Sequence, residues 1–192
     1  MKKTLLPAAL IAAVSLCAQP AQPAPAAAPA NPLSGGERAV YAIVSGFVVG
    51  AAEKMPEEKY AFKPTPEVRT FGQIVGHIAD ANNRFCAAAS GEAAPAGGSV
   101  EKTKTTKADL VQALKDAVAH CQAAYGSMTD TKGAEMVKFF GRDVPRLTIL
   151  SFNTAHTDEH YGNLVTYLRL QGIVPPSTER PPVAPPPSAP NK

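Results

Sequence analysis

The sequence predicts an all-α fold, a four-helix bundle with two long connections, and three observations carry that expectation. Four segments repeat apolar residues at intervals of three and four, no segment alternates convincingly enough to read as a strand, and the apolar stripes are bounded by residues suited to helix ends. Proline placement sets the limits of the folding unit. Of nineteen prolines in 192 residues, six precede Leu33 and eight follow Val174. The compact unit is therefore residues 33–176, enough for one core and too little for two domains. A composition that is 45% hydrophobic and 18% charged excludes wholesale disorder.

Ahead of the bundle, Lys2-Lys3 and the apolar run over residues 5–16 have the charged and apolar regions of a secretory signal, assigned to residues 1–18. The run is too short to span a bilayer. Leu16 stands where a lipidated cysteine needs a small residue before it, so ordinary cleavage near residues 17–22 is expected over a lipid anchor at Cys17. The mature chain is then periplasmic or secreted, with no transmembrane helix. Residues 19–32 form an Ala/Pro-rich linker and residues 177–192 a Pro-rich tail, both disordered, solvated tethers.

The first helix is expected to carry Val40, Ile43, Val44, Phe47, Val48 and Ala51 as one apolar stripe, to enter at Asn31-Pro32 and to end near Lys54. A capping box of Thr70 and Gln73 opens the second, which continues through Phe71, Ile74, Val75, Ile78, Ala81 and Phe85 toward Gly91. Thr106 opens the third, with Leu110, Val111, Leu114, Ala117, Val118, Cys121 and Tyr125 on one face and an end near Gly126. The fourth is expected to begin at Asp143-Val144-Pro145, to carry Leu147, Leu150, Tyr161, Leu164, Val165 and Leu168, and to stop at Gly172. The connections after Ser90 and Gly126, each of about 16 residues, exceed an ordinary interhelical turn, so crossovers are expected. Phe139-Phe140-Gly141-Arg142 in the second is apolar enough to fold over one end of the bundle.

The charge balance excludes one class of function. The formal charge is +3, but without Lys2 and Lys3 the count is 17 cations against 16 anions, and no arginine stripe or interleaved aromatics occur. Nucleic-acid binding is therefore not expected. Cys86 and Cys121, the thiols that remain after export, are either a disulfide or two small buried hydrophobes; their spacing does not choose.

Four histidines offer metal chemistry. His156 and His160 lie four apart on the fourth helix, so both imidazoles project from one face, one turn apart. His77 sits on the shoulder of the second helix's stripe and can supply a third nitrogen. Three neutral imidazoles from two bundle helices leave at least one coordination position open, the pattern of a catalytic ion. His120 lies off its stripe and reads as exposed. The run HTDEH also fits H-x-x-E-H with Glu159 as base, but only Glu179, in the tail, remains downstream as a third ligand, so a zinc protease is not expected. Asp80 and Asp158 either orient imidazoles or are solvated helix charges, the latter being the default. Asn153 and Tyr167 share the helical row of His156 and His160 and are candidates to line a cavity, with packing the simpler role for Tyr167.

The runs VRTFGQIVGHIADANNRFC (68–86) and HTDEHYGNLVTYLRLQGIVPP (156–176) resemble the DinB family, within the DinB/YfiT-like metalloenzymes. The resemblance implies up-down-down-up connectivity and a divalent metal on three histidines, here His77, His156 and His160. The ion could be zinc, nickel, iron or manganese, since three imidazoles suit each. With the second and third helices parallel, as that connectivity requires, Cys86 and Cys121 fall at one end of the bundle and a disulfide is favoured. Relatives include thiol-dependent transferases and isomerases and metal-dependent hydrolases. The expectation is therefore an exported metalloenzyme of hydrolase or thiol-transferase type acting on an unidentified small molecule. The alternative is a non-catalytic, metal-stabilised envelope binding module. A homodimer is compatible with the sequence, which does not fix the oligomeric state.

Overall fold

The computed structural model describes residues 30–93 and 99–179. The expected signal segment with Cys17, most of the linker and the tail from residue 180 onward lie outside the described residues.

The helices are α1 (Pro32–Lys54), α2 (Phe71–Ser90), a one-turn α3 (Val100–Thr103), α4 (Lys107–Ser127), a one-turn α5 (Asp130–Gly133) and α6 (Arg146–Leu170). A hairpin of β1 (Met136–Phe139) and β2 (Arg142–Pro145) lies between α5 and α6. Among the described residues, no helix is long and apolar enough to cross a membrane.

Side-chain contacts fix the directions of the four long helices. Tyr41 stacks on Tyr125 while Lys107 Nζ donates to the Glu53 carbonyl, so α1 and α4 are antiparallel. Ser151 Oγ donates to Glu37 and Phe47 stacks on Tyr161, so α1 and α6 run parallel. Gly72 lies against Leu110 and Cys86 is bonded to Cys121, which makes α2 and α4 parallel. The chain therefore runs up, down, down, up. That order makes the connection after Ser90 a crossover, because α4 is parallel to α2 and is reached only by returning along the bundle. The stretch after Gly126 joins antiparallel neighbours whose ends meet at Tyr125 and Leu150, so the crossover expected there is replaced by α5 and the hairpin.

The caps follow from local chemistry. Thr70 and Gln73 form the expected capping box, with Gln73 N–H donating to Thr70 Oγ1 at 3.1 Å and Thr70 N–H to Gln73 Oε1 at 2.8 Å. Gly91 and Gly172 take φ of 80° and 73°, the left-handed conformation that a side chain resists. The entry of α1 is capped differently from its sequence signature. Asn31 makes no side-chain cap; its Oδ1 accepts from Asp130 N–H, and the Asp130 carboxylate accepts from the N–H groups of Leu33 and Ser34 and from Ser34 Oγ. A residue 96 positions away from Ser34 thus closes the helix, and these hydrogen bonds hold the Asp130 carboxyl below its usual range.

Two expectations are corrected. The sequence gives no convincing strand signal, yet β1 and β2 pair antiparallel, Met136 opposite Pro145 and Phe139 opposite Arg142. Asp143 and Val144 therefore belong to β2 and not to the opening of the last helix; Pro145, the last residue of β2, is also the N-cap of α6, which starts at Arg146. The strands are short and half-buried: Val137, Phe139 and Val144 rest on the core while Lys138 and Asp143 form a surface ion pair at 2.8 Å.

The core has two continuous parts. One gathers Val48, Phe71, Val75, Ile78, Leu114, Leu164 and Leu168; the other gathers Tyr41, Phe85, Tyr125, Ile149, Leu150 and the cysteine pair. Cys86 and Cys121 are joined by a disulfide with Cα atoms 5.2 Å apart, tying α2 to α4.

Candidate metal centre

His77 stands near the middle of α2 and His156 and His160 near the middle of α6, on antiparallel helices that face each other. Their ring nitrogens converge. His156 Nε2 lies 3.3 Å from His77 Nε2 and 3.2 Å from His160 Nε2, and one nitrogen from each ring lies within 4.8 Å of the others. Nitrogens 2.0–2.1 Å from a tetrahedral ion are separated by about 3.3 Å, so two of the three spacings match that geometry. Hydrogen bonding among the rings satisfies them poorly. A neutral imidazole nitrogen carries either one proton or one in-plane lone pair, so His156 Nε2 cannot serve two neighbours well. A cation between the three engages every lone pair; this donor set could bind a metal ion.

The electrostatics keep the lone pairs available. All three rings are partly buried. Burial, then the charges of His156 and His77, pushes the His160 imidazole down to about 4. His156 is lowered by burial and then by His77. Both are neutral at pH 7, the state a metal requires.

The outer ring nitrogens have unequal support. His77 Nδ1 lies 3.2 Å from Glu101 Oε2, and Arg69 Nε donates to the other oxygen of that carboxylate at 2.8 Å. His160 Nδ1 lies 3.2 Å from the amide nitrogen position of Asn163; with the amide turned, its oxygen accepts the ring N–H. His156 Nδ1 is buried and has no hydrogen-bond partner among the described residues, and its ring is held instead by Phe85 at 5.5 Å and Phe152 at 6.3 Å between centroids.

Glu101 is the residue that sequence reasoning missed. It lies in a connection with no apolar periodicity, and its position is set by two residues of α2, Asp80 and Gly76. Asp80 accepts from Ser99 Oγ (2.6 Å), Val100 N–H (2.7 Å) and Glu101 N–H (3.1 Å), so α2 itself caps α3. A Cβ on Gly76 would stand 2.7 Å from Glu101 Cα, so only glycine beside His77 allows α3 to lie this close. Asp80 therefore does orient an imidazole, one step removed, through Glu101. The signal that could have exposed it is Asp80 one turn beyond His77 together with the Ser99-Val100-Glu101 helix start.

The remaining sequence candidates fall elsewhere. Asn153 is fully buried in a polar network: its Nδ2 donates to Asn82 Oδ1 and Tyr125 Oη, each at 3.2 Å, and lies 3.6 and 3.7 Å from the disulfide sulfurs. It is part of the packed core beneath His156. Tyr167 packs against Phe71 and Phe62 and donates to the Arg69 carbonyl at 2.7 Å. His120 is 3.4 Å from Glu92, away from the three histidines. Asp158 and Glu159 are exposed.

A sequence profile described as the DinB superfamily matches residues 48–164. No curated protein matches the chain. Among solved structures, a DinB-like protein from Bacillus cereus ATCC 10987 superposes with a TM-score of 0.65 at 17% identity, over 74% of this chain and 95% of that one. A DinB-like protein from Bacillus subtilis gives 0.60 at 24% identity, over 71% and 92%. A mycothiol-dependent maleylpyruvate isomerase gives 0.55 at 16% identity, over 68% of this chain and 60% of that one. At these identities the likeness is one of fold.

Proposed function

Because the chain belongs to the DinB superfamily, we propose that His77, His156 and His160 hold a divalent metal ion and that the protein is an exported metal-dependent hydrolase acting on a small molecule. The observation that carries this reading is the convergence of three imidazoles, with His156 Nε2 at near-tetrahedral spacing from the Nε2 of His77 and of His160, and with His156 and His160 held neutral. An ion bound there would lower the pKa of a coordinated water or polarise a carbonyl oxygen. The chain's own residues supply the rest. Glu101 fixes the His77 ring and its tautomer, Arg69 fixes Glu101, and Phe85 and Phe152 keep water from one side of His156. Export is supported by the Lys2-Lys3 and apolar pattern and by the Cys86–Cys121 pairing, which persists in oxidising compartments.

Thiol transfer is the second reading, favoured by the fold shared with a mycothiol-dependent isomerase. An exported chain would seldom meet the small thiols of the cytoplasm, so hydrolysis is preferred. The test is metal content by mass spectrometry for wild type and His156→Ala, followed by turnover of ester, amide and thiol-conjugate panels before and after chelation. Near-stoichiometric metal in wild type, lost in the variant, with chelator-sensitive ester or amide hydrolysis, is the expected result. Equal substoichiometric metal in both proteins would end the reading.

A further inference from the structure

A ledge of phenylalanines adjoins the imidazoles. Phe85 and Phe152 flank His156, and Phe139 and Phe140 of the hairpin continue the surface: Phe85 packs edge-on to Phe139, Phe140 and Phe152, with centroids 5.7, 6.2 and 5.2 Å away. Phe85 is buried and serves the core. Phe140 and Phe152 do not, being 65% and 43% exposed.

Phe140 is also in the wrong place for a residue selected for folding. Phe140 and Gly141 form the two-residue hairpin loop, both with positive φ, 47° and 79°. Such loops favour asparagine, aspartate or glycine at the first position because a bulky side chain is strained there. An exposed, strained aromatic gains little for stability in exchange for that strain.

A cation completes the ledge. The guanidinium carbon of Arg84 lies 4.9 Å from the Phe85 ring centroid and 5.3 Å from that of Phe140. Arg69 is paired with Glu101, whereas Arg84 makes no ion pair among the described residues. Spread on an aromatic surface, it presents a planar fork suited to a carboxylate.

Resting on the metal-dependent reading of the site, we propose that Phe140, Phe152 and Arg84 form the substrate's recognition ledge, and that the substrate is a carboxylate carrying a flat aromatic ring. The ring lies on Phe140 and Phe152, and the carboxylate is taken by Arg84. Charge complementarity selects this occupant over a second copy of the chain: the ledge combines apolar surface with an unpaired cation, beside a site built for a divalent ion.

The test uses phenylacetate, its neutral analogue phenylacetamide, and acetate, titrated calorimetrically into zinc-supplemented and chelator-treated protein. Phenylacetate is expected to bind at least about tenfold more tightly than either comparison compound. Arg84→Gln should reduce it to the level of phenylacetamide. Phe140→Asn should reduce it toward acetate while the melting temperature holds or rises, since asparagine suits the loop. Equal binding of phenylacetate and acetate would mean capture by the ion alone and overturn the proposal. So would loss of phenylacetate binding by Phe140→Asn only together with a lowered melting temperature, which would make the ledge packing, or self-association of wild type abolished by Phe140→Asn without ligand binding, which would make it a dimer contact. The two proposals fail separately: a wild type that retains no metal removes the enzyme reading, yet chelated protein should still prefer phenylacetate.

Discussion

His160 carries the clearest pH signature of any single residue. Its imidazole titrates at about 4 in the folded protein against 6.5 when free, so between these values the unfolded chain takes up a proton that the folded one refuses. Stability of the metal-free protein is therefore intact above about 6.5 and is lost progressively as pH falls toward 4. Melting curves of chelated protein at pH 7.5 and 4.5 should show this loss, and His160→Gln should flatten it; parallel curves for the two proteins would contradict the assignment. Asn82 makes a second residue-scale test. Fully buried, it accepts from Tyr41 Oη at 2.7 Å and from Asn153, and donates to the Ile78 carbonyl. Asn82→Ala leaves those groups unpaired and should cost about 2–3 kcal/mol in denaturant unfolding. The sequence made the histidines legible because helical periodicity alone puts residues 156 and 160 on one face. For Asn153 periodicity gives the row shared with His156 and His160 but not its full burial among Asn82, Tyr125 and the disulfide.

Among the elements, the four long helices were readable because each has its own apolar stripe, and α2 and α4 also open on their own threonine caps, Thr70 and Thr106. The short ones were not, since their determinants lie in other parts of the chain. The one-turn α3 exists because Asp80 caps it, and the same dependence on a distant residue appears in one long helix, α1, whose entry is closed by Asp130. The hairpin has strands of only four residues and a Phe-Gly loop in place of the usual Asn-Gly signal, and Pro145 at its end is also the N-cap of α6, so the helix-entry signal overlaps the strand. Placement of α3 against α2 can be tested through Gly76. A methyl there would meet the α3 backbone at 2.7 Å, pushing Glu101 away from His77. Gly76→Ala should therefore weaken metal affinity by about tenfold or more, as should Glu101→Gln to a smaller extent, with α2 still helical by circular dichroism. Unchanged affinity in Gly76→Ala would show that the Glu101 contact does not orient the ring.

For the molecule as a whole, α2 is the common strut. The disulfide ties it to α4 and the imidazole cluster faces it toward α6. The up-down-down-up order makes both possible, because it brings the C-terminal halves of α2 and α4 together and sets α2 antiparallel to α6. This order was not contained in the stripes, which are the same for any bundle; the long connections narrowed it and the resemblance supplied it. The two ties act on different states. A disulfide separated by 35 residues stabilises mainly by restricting the unfolded chain, and replacing both Cys86 and Cys121 with alanine should cost about 3–4 kcal/mol. A metal acts on the folded state alone and should add about 4 kcal/mol at a thousandfold excess over its dissociation constant. Their effects should then add: wild type and the double-alanine variant, each melted with zinc and with chelator, should show the same zinc-dependent gain. If the gain disappears from the disulfide-free protein, the histidine geometry depends on the covalent tie, and α2 is held in register by sulfur rather than by its packed face.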